Sequence, residues 1–206
     1  MAGRLITIEG LDGSGKSTLV AGLTAELQRR AVTVSALREP GGVELAERLR
    51  DLVKDPSLSV DPRAEALIYA AARAQLVSEL LRPLLAGGAI VLLDRYIDSS
   101  LAYQGAGRGL GVEQVAAINS FASGGLTPDR TLYLRVDRDT RAARIGDRGE
   151  ASDRLEAAGD EFFAAAAEAY DALAAAEPQR IRVLDGGAAP DAVLAAAIDA
   201  ISDLLA

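Results

Sequence analysis

Residues 5–19 read LITIEGLDGSGKSTL, and the rest of the chain takes its place around them. The apolar and β-branched run Leu5, Ile6, Thr7, Ile8 predicts a strand. It leads into Gly10, Leu11, Asp12, Gly13, Ser14, Gly15, Lys16 and Ser17, which satisfy G-x-x-x-x-G-K-[ST] at every fixed position; Thr18 and Leu19 then continue into a helical pattern. A strand, a glycine-rich loop and a helix in that order make a P-loop. Glycine tolerates the unusual φ values that turn backbone N–H groups inward around a polyphosphate. The following helix aims its positive end at the same anion. Lys16 is expected to reach the β and γ phosphates of a bound nucleotide, and the Ser17 hydroxyl to hold Mg²⁺.

Downstream, Leu19, Val20, Leu23 and Leu27 share one face of a helix predicted over residues 16–30. A strand is predicted at 33–37, leaving the sheet at Arg38, Glu39, Pro40, Gly41 and Gly42. Helices follow at 43–55, broken by Pro56, and at 63–81, ended or kinked by Pro83. Residues 89–93 are uniformly apolar, as in a strand covered on both faces, and deliver Asp94, Arg95 and Tyr96 at its carboxyl end. A helix at 98–104, a Gly-rich turn at 104–111 and a helix at 112–123 come next. A strand at 131–136, helices at 137–145 and 154–176, a strand at 181–184, a Gly186–Gly187 turn and a helix at 190–205 complete the pattern, with a charged, mobile loop at 146–153. Five strands alternating with helices predict an α/β fold: a parallel sheet with helices on both faces, in one domain over 1–206. Ligands then belong at the carboxyl ends of the strands, near Gly10, Glu39, Asp94 and Asp137.

Composition narrows the chemistry. With 22 basic and 30 acidic residues the formal net charge is −8, which argues against nucleic acid as a partner. The chain has no Cys and no His, so thiolate nucleophiles, disulfides and imidazole bases are excluded. No apolar run approaches the ~18 residues of a membrane span, and no signal-peptide pattern opens the chain, so a cytoplasmic protein without membrane contact is expected.

A P-loop alone specifies only nucleotide binding. Four further features narrow it: Arg38-Glu39-Pro40-Gly41-Gly42, Tyr69 with Arg73, Asp94-Arg95-Tyr96, and the stretch 144–156. Together with the loop they resemble the thymidylate kinase family, P-loop nucleoside monophosphate kinases that move phosphate from ATP to dTMP. The resemblance runs over residues 5–193. It implies a P-loop NTPase fold with a short lid at about 144–156, the cofactors ATP and Mg²⁺, dTMP as acceptor, a role in dTDP biosynthesis, and a homodimer.

The family's roles fall on particular positions. By resemblance, Gly10 to Thr18 bind ATP, with Asp94 joining Ser17 at Mg²⁺, and Arg95 bridges the donor and acceptor phosphates. Asp12 lies near the acceptor sugar and phosphate. Tyr69, where the family usually has Phe, stacks on thymine and Arg73 meets the base edge; these two stand four apart and share a helix face. Ser100 and Gln104 match positions near the base, and Tyr103 one under the deoxyribose. Arg38, Glu39 and Arg50 match the acceptor side, Arg50 facing its phosphate. Gly13 stands where some relatives carry an Arg, so the lid is expected to supply the cations: Arg148 as the catalytic one, with Arg144 and Arg154 as the other candidates to close over ATP. Gly186 and Gly187 are placed beside the adenine.

The chemistry agrees with this residue set. At an effective dielectric of ~20, two like unit charges ~4 Å apart repel by ~4 kcal/mol, so joining two phosphorylated molecules requires cations. A phosphate with a second pKa near 6 is already nucleophilic at neutral pH, so a chain without His loses nothing. The alternatives are a P-loop kinase for another deoxynucleotide or a deoxynucleoside, a nucleotide-driven switch or ATPase acting on a protein, and a binding-only relative. The guanine-reading N-K-x-D motif is missing, which counts against a GTPase. Lys16, Ser17, Asp94 and Arg95 together count against a binding-only protein.

Overall fold

The computed structural model describes residues 3–146, 154–155 and 158–205. Five parallel strands, β1 (Arg4–Glu9), β2 (Val34–Arg38), β3 (Ile90–Asp94), β4 (Arg130–Arg135) and β5 (Ile181–Asp185), form one sheet in the order β2-β3-β1-β4-β5. β1 and β3 are neighbours, yet the chain leaves β1 for one edge of the sheet and leaves β3 for the other half. A crevice opens at the carboxyl ends of such a pair. Register brings the site together there: Asp94 pairs with Ile8 on one side and Arg38 on the other.

Strand alternation gives each face its helices. Ile6, Ile8, Leu92 and Leu132, all fully buried, pack on Leu19, Leu23 and Leu27 of α1 (Lys16–Arg29) and on Val193 and Ala197 of α9 (Pro190–Ala200). Leu5, Val91 and Leu93 face the opposite way, onto Ala46 of α2 (Glu44–Lys54) and Ala72 and Leu76 of α3 (Pro62–Leu76). Tyr133 and Ile181 share an aromatic cluster with Tyr103 and with Phe162, Phe163 and Tyr170 of α8 (Asp160–Ala176). Each such apolar side chain contributes roughly 1.5–3 kcal/mol on burial. The expected parallel sheet with helices on both faces is the fold observed.

Three boundaries differ from expectation. The helix of residues 63–81 widens into a π-helical turn at Val77–Leu81 and runs on without a break into α4 (Arg82–Ala86), so Pro83 lies within a continuous helix just after the widened turn. The Gly-rich stretch after Gln104 becomes a turn only from residue 108: α5 (Ile97–Ser100) runs into a π-helical segment, Leu101–Gly107, before the chain turns at Arg108 to Leu110. A Cβ on Gly107 would sit 2.6 Å from the Phe162 ring, so this glycine permits close helix packing rather than chain reversal. The helix expected from 154 begins at Asp160; Arg154 and Leu155 lie in a turn. Helices α6 (Val112–Ser123) and α7 (Arg138–Gly146) stand near their expected places.

Candidate active site

The loop after β1 is built as the sequence requires. Gly15 caps α1 with φ 97°, in the left-handed region that favours glycine. Lys16 folds back over the loop and donates to the carbonyls of Gly10 (3.1 Å) and Leu11 (3.0 Å). Burial and the neighbouring Arg95 cation lower the Lys16 ammonium to about 8, although Asp12, Asp94 and Glu9 pull the other way. Two buried oxygens in this region, Ser14 Oγ and Asp94 Oδ1, have no protein partner. Ser17 and Thr18 stand on the first turn of α1 and line the phosphate channel with Gly13, Gly15 and Asp94.

Arg95 emerges from the neighbouring strand with φ 70°, a strained value for a residue with a Cβ. Its guanidinium is fastened on several sides. Nη2 donates to Asp12 Oδ1 at 2.7 Å, Nη1 donates to Gly10 O and to Ser99 Oγ, both at 3.1 Å, and the group lies 5.0 Å from the Tyr103 ring centroid. Burial alone would raise the Asp12 carboxyl, but Arg95 and Lys16 outweigh it and hold the group well below the usual carboxylate range. The Tyr103 hydroxyl donates to the second Asp12 oxygen at 3.3 Å. Behind this layer Glu9, fully buried, accepts from Tyr96 N (2.7 Å), Ser99 Oγ (2.5 Å) and Tyr170 Oη (2.8 Å). Burial, aided by Asp98, raises its pKa.

Beside this layer a cleft gathers Asp12, Glu39, Arg50, Tyr69, Arg73, Arg95, Ser100, Tyr103 and Gln104, nine of the residues singled out from sequence. Tyr69 is half-buried on its wall. Arg73 is 2% exposed, and each nitrogen of its guanidinium is engaged: Nε donates to Glu39 Oε2 (2.8 Å), Nη2 donates to Tyr96 O (2.9 Å) and stands 2.6 Å from Glu39 Oε2 as an ion pair, and Nη1 donates to Ser100 Oγ (3.1 Å) and Asn119 Oδ1. Burial pushes the Glu39 carboxyl up to about 7 against the pull of Arg73. Arg50 donates to Pro40 O at 2.9 Å. Arg38 is exposed, pairs with Glu47 at 3.2 Å and borders the phosphate channel rather than this cleft.

A second cleft lies across the loop, lined by Ser14, Gly15, Thr18, Arg144 and Gly186 among others. Arg144 of α7 donates to Gly186 O at 2.8 Å. Arg148 and most of the 144–156 stretch lie outside the described residues. Arg154 donates to Val53 O at 2.9 Å and pairs with Glu65 at 2.6 Å. Arg154, expected from resemblance as a candidate to close over ATP, is paired here with the buried carboxylate of Glu65. Asp137, although at a strand end, is exposed and accepts from Thr140 N at the start of α7, a structural position.

Sequence reasoning missed several residues. Arg141 donates to Asp12 O at 3.1 Å and stacks 3.7 Å from the Phe163 ring centroid; its spacing of three from Arg144 places both on one helix face and was a usable signal. Lys54, one turn after Arg50, lines both the first cleft and the phosphate channel. Glu9 was visible as a lone charge ending a buried strand. Glu65 carried no local signal.

The two clefts share the P-loop, and Asp12, Glu39, Arg50 and Arg95 line both the first cleft and the phosphate channel between them. This fold and this site define a P-loop NTPase of the phosphotransferase class. A family model described as thymidylate kinase matches residues 8–196. Proteins named thymidylate kinase from Pseudomonas entomophila (46% identical, covering 98% of this chain and 95% of the relative), Deinococcus radiodurans (45%; 98% and 97%) and Alkalilimnicola ehrlichii (44%; 97% and 93%) align along nearly their whole length. The crystal structure of thymidylate kinase from Ehrlichia chaffeensis superposes with a TM-score of 0.76 at 27% identity, covering 98% of this chain and 99% of that one. The chain belongs to the thymidylate kinase family.

Proposed function

We infer that this protein phosphorylates dTMP to dTDP with ATP, a step that feeds dTTP synthesis, by direct in-line transfer. The observation that carries the reading is the shared wall: the Asp12–Arg95 pair stands where the first cleft meets the phosphate channel, so one guanidinium faces both ligands. ATP takes the cleft of Gly15, Thr18, Arg144 and Gly186, with its polyphosphate along Gly10 to Thr18 and Lys16. The acceptor takes the other cleft, its base against Tyr69, Ser100 and Gln104, its sugar over Tyr103, its phosphate toward Arg50 and Arg95. Glu39 and Arg73 form the floor, with Arg73 held by Glu39 and Ser100. The acceptor phosphate oxygen is already ionised at neutral pH, so positioning and charge stabilisation carry the reaction.

The donor set suits Mg²⁺. Asp94 Oδ1 is buried without a partner, Ser17 lines the same channel, and no cluster of three acidic side chains placed to hold a metal exists among the described residues. Such a site leaves most ligand positions to water and phosphate, as this ion prefers. Bound there, the ion would neutralise charge on the transferring phosphates. Arg141 and Arg144 add cations from α7, and Arg148 is carried forward as the lid cation from resemblance.

The chain acts as a homodimer in this reading. Phe121 on α6 is 92% exposed and Leu67 on α3 is 56% exposed, on two helices packed side by side, with Leu45 and Leu52 of α2 also exposed. Isolated apolar residues are ordinary on surfaces; a bare phenylalanine among several exposed leucines on adjacent helices favours a partner. A coupled assay with Mg·ATP and a panel of nucleoside monophosphates tests the function. Turnover is expected to be greatest with dTMP, and a preference for dCMP or for hydrolysis without acceptor overturns the reading.

A further inference from the structure

We propose that Glu65 is a positioning residue that sets the base specificity of the acceptor cleft by fixing which end of the Gln104 amide faces the ligand. The inference rests on the proposed function and deepens it. Glu65, in the first turn of α3, is fully buried. Arg108 donates to both of its oxygens, at 3.2 and 3.1 Å, and Arg154 to Oε2 at 2.6 Å. Between two guanidiniums this carboxylate is an acceptor only. Gln104 Nε2 donates to Oε1 at 2.9 Å.

An amide carries a donor end and an acceptor end, and without constraint it turns to suit either kind of partner. Here one end is committed. A carboxylate has no proton to give, so the Gln104 side chain can meet Glu65 only through nitrogen. Its carbonyl oxygen, with no hydrogen bond among the described residues, is left as the polar atom that Gln104 offers to the cleft it lines. A 4-oxopyrimidine presents an N3–H donor on its edge and matches this oxygen. A 4-aminopyrimidine presents a bare N3 lone pair and meets it oxygen against nitrogen, with neither carrying a proton. The recognised class is thus the 4-oxopyrimidine nucleotides, thymine and uracil alike, against cytosine. A buried polar group left facing the wrong partner rejects a ligand far more strongly than a missing methylene does.

The test measures kcat/KM for dTMP, dUMP and dCMP in wild-type enzyme, Glu65→Gln, Arg154→Gln and the double variant. The neutral amide introduced by Glu65→Gln can donate or accept, which frees the Gln104 amide to turn over. Glu65→Gln is expected to narrow the dTMP to dCMP ratio by about tenfold or more while leaving the dTMP to dUMP ratio within about twofold, because both of those bases carry N3–H. General loosening of the cleft would move both ratios. Arg154→Gln alone is expected to keep the dTMP to dCMP ratio, since Arg108 still holds the carboxylate. If Glu65→Gln does not fold, the double variant, which removes one buried charge of each sign, is expected to show the same narrowing. An unchanged dTMP to dCMP ratio overturns the proposal, as does an equal change on Arg154→Gln alone. Failure of the wild-type enzyme to turn over dTMP would instead remove the proposed function.

Discussion

Arg95 Nη2 lies 2.7 Å from Asp12 Oδ1, and this pair joins the end of β3 to the loop after β1 at the junction of the two clefts. The carboxylate orients the guanidinium before any ligand arrives, so little reorganisation remains for the reaction itself.

Arg95→Ala is expected to lower kcat by about 10²- to 10³-fold, the usual cost of one lost charge-stabilising donor, while the ATP dissociation constant changes much less. Steady-state kinetics beside nucleotide-binding calorimetry would check this. Equal losses in both quantities would contradict the bridging role.

Lys16 gives ATP binding a pH dependence. In the free protein its ammonium is lowered to about 8, whereas a bound polyphosphate favours the charged form. Affinity for ATP is expected to fall as pH rises from about 7 to about 9.5, with proton uptake on binding near pH 8. Calorimetry in two buffers of different ionisation enthalpy reads that uptake directly; a flat profile would refute the coupling, and Lys16→Met should abolish it.

Glu39 acts on stability with the opposite kind of group. Its folded pKa of about 7 lies above the ordinary 4.5, so between those values the native state holds more protons than the unfolded chain. The contribution is fully present below about pH 4.5 and is lost as pH climbs through about 7. Denaturant unfolding at about pH 5 and about pH 8 should show wild type losing stability relative to Glu39→Gln over that interval. A constant difference would place the Glu39 pKa elsewhere.

Tyr103 is 3% exposed and packs edge-on against Phe162, Phe163 and Tyr170, so Tyr103→Ala is expected to cost about 3–5 kcal/mol of stability. In the folded fraction it should also narrow the preference for deoxyribose over ribose acceptors, whereas Tyr103→Phe, which keeps the ring, should not. Acceptor kinetics with dTMP and its ribose counterpart separate the two variants. An unchanged ratio in Tyr103→Ala would remove the residue from the sugar site.

Phe121→Glu places a charge on the proposed helical interface and is expected to shift the protein from dimer to monomer in sedimentation experiments. Because the side chain is 92% exposed in the single chain, folding itself should survive. A wild-type protein that sediments as a monomer at micromolar concentration would end the dimer reading.

Much of this was legible because the decisive signals are local. The loop carries its own flanking strand and helix, and a short uniformly apolar run such as 90–93, preceded by Gly87 and Gly88, reads as an interior strand. Tyr69 and Arg73 shared a face by spacing alone. What spacing could not reveal is how far Arg73 reaches: its partners Glu39, Ser100 and Asn119 stand 27 to 46 residues away, and nothing near position 73 announces them. The same holds for Glu65, whose partners Gln104, Arg108 and Arg154 come from distant elements. Gly107 misled for another reason. Composition marks a turn starting at Gln104, and Gly109 and Gly111 do serve one, but at Gly107 the missing Cβ makes room for the Phe162 ring, a packing demand set by α8.

The enclosed guanidinium of Arg73 also bears on inhibitor resistance. It laces the segment after β2, α5 and α6 to α3 from within, so replacing it would unpick several elements at once. A nucleoside analogue that rests on this floor would press against masonry the cell has little freedom to rebuild, and escape would have to come from the exposed rim.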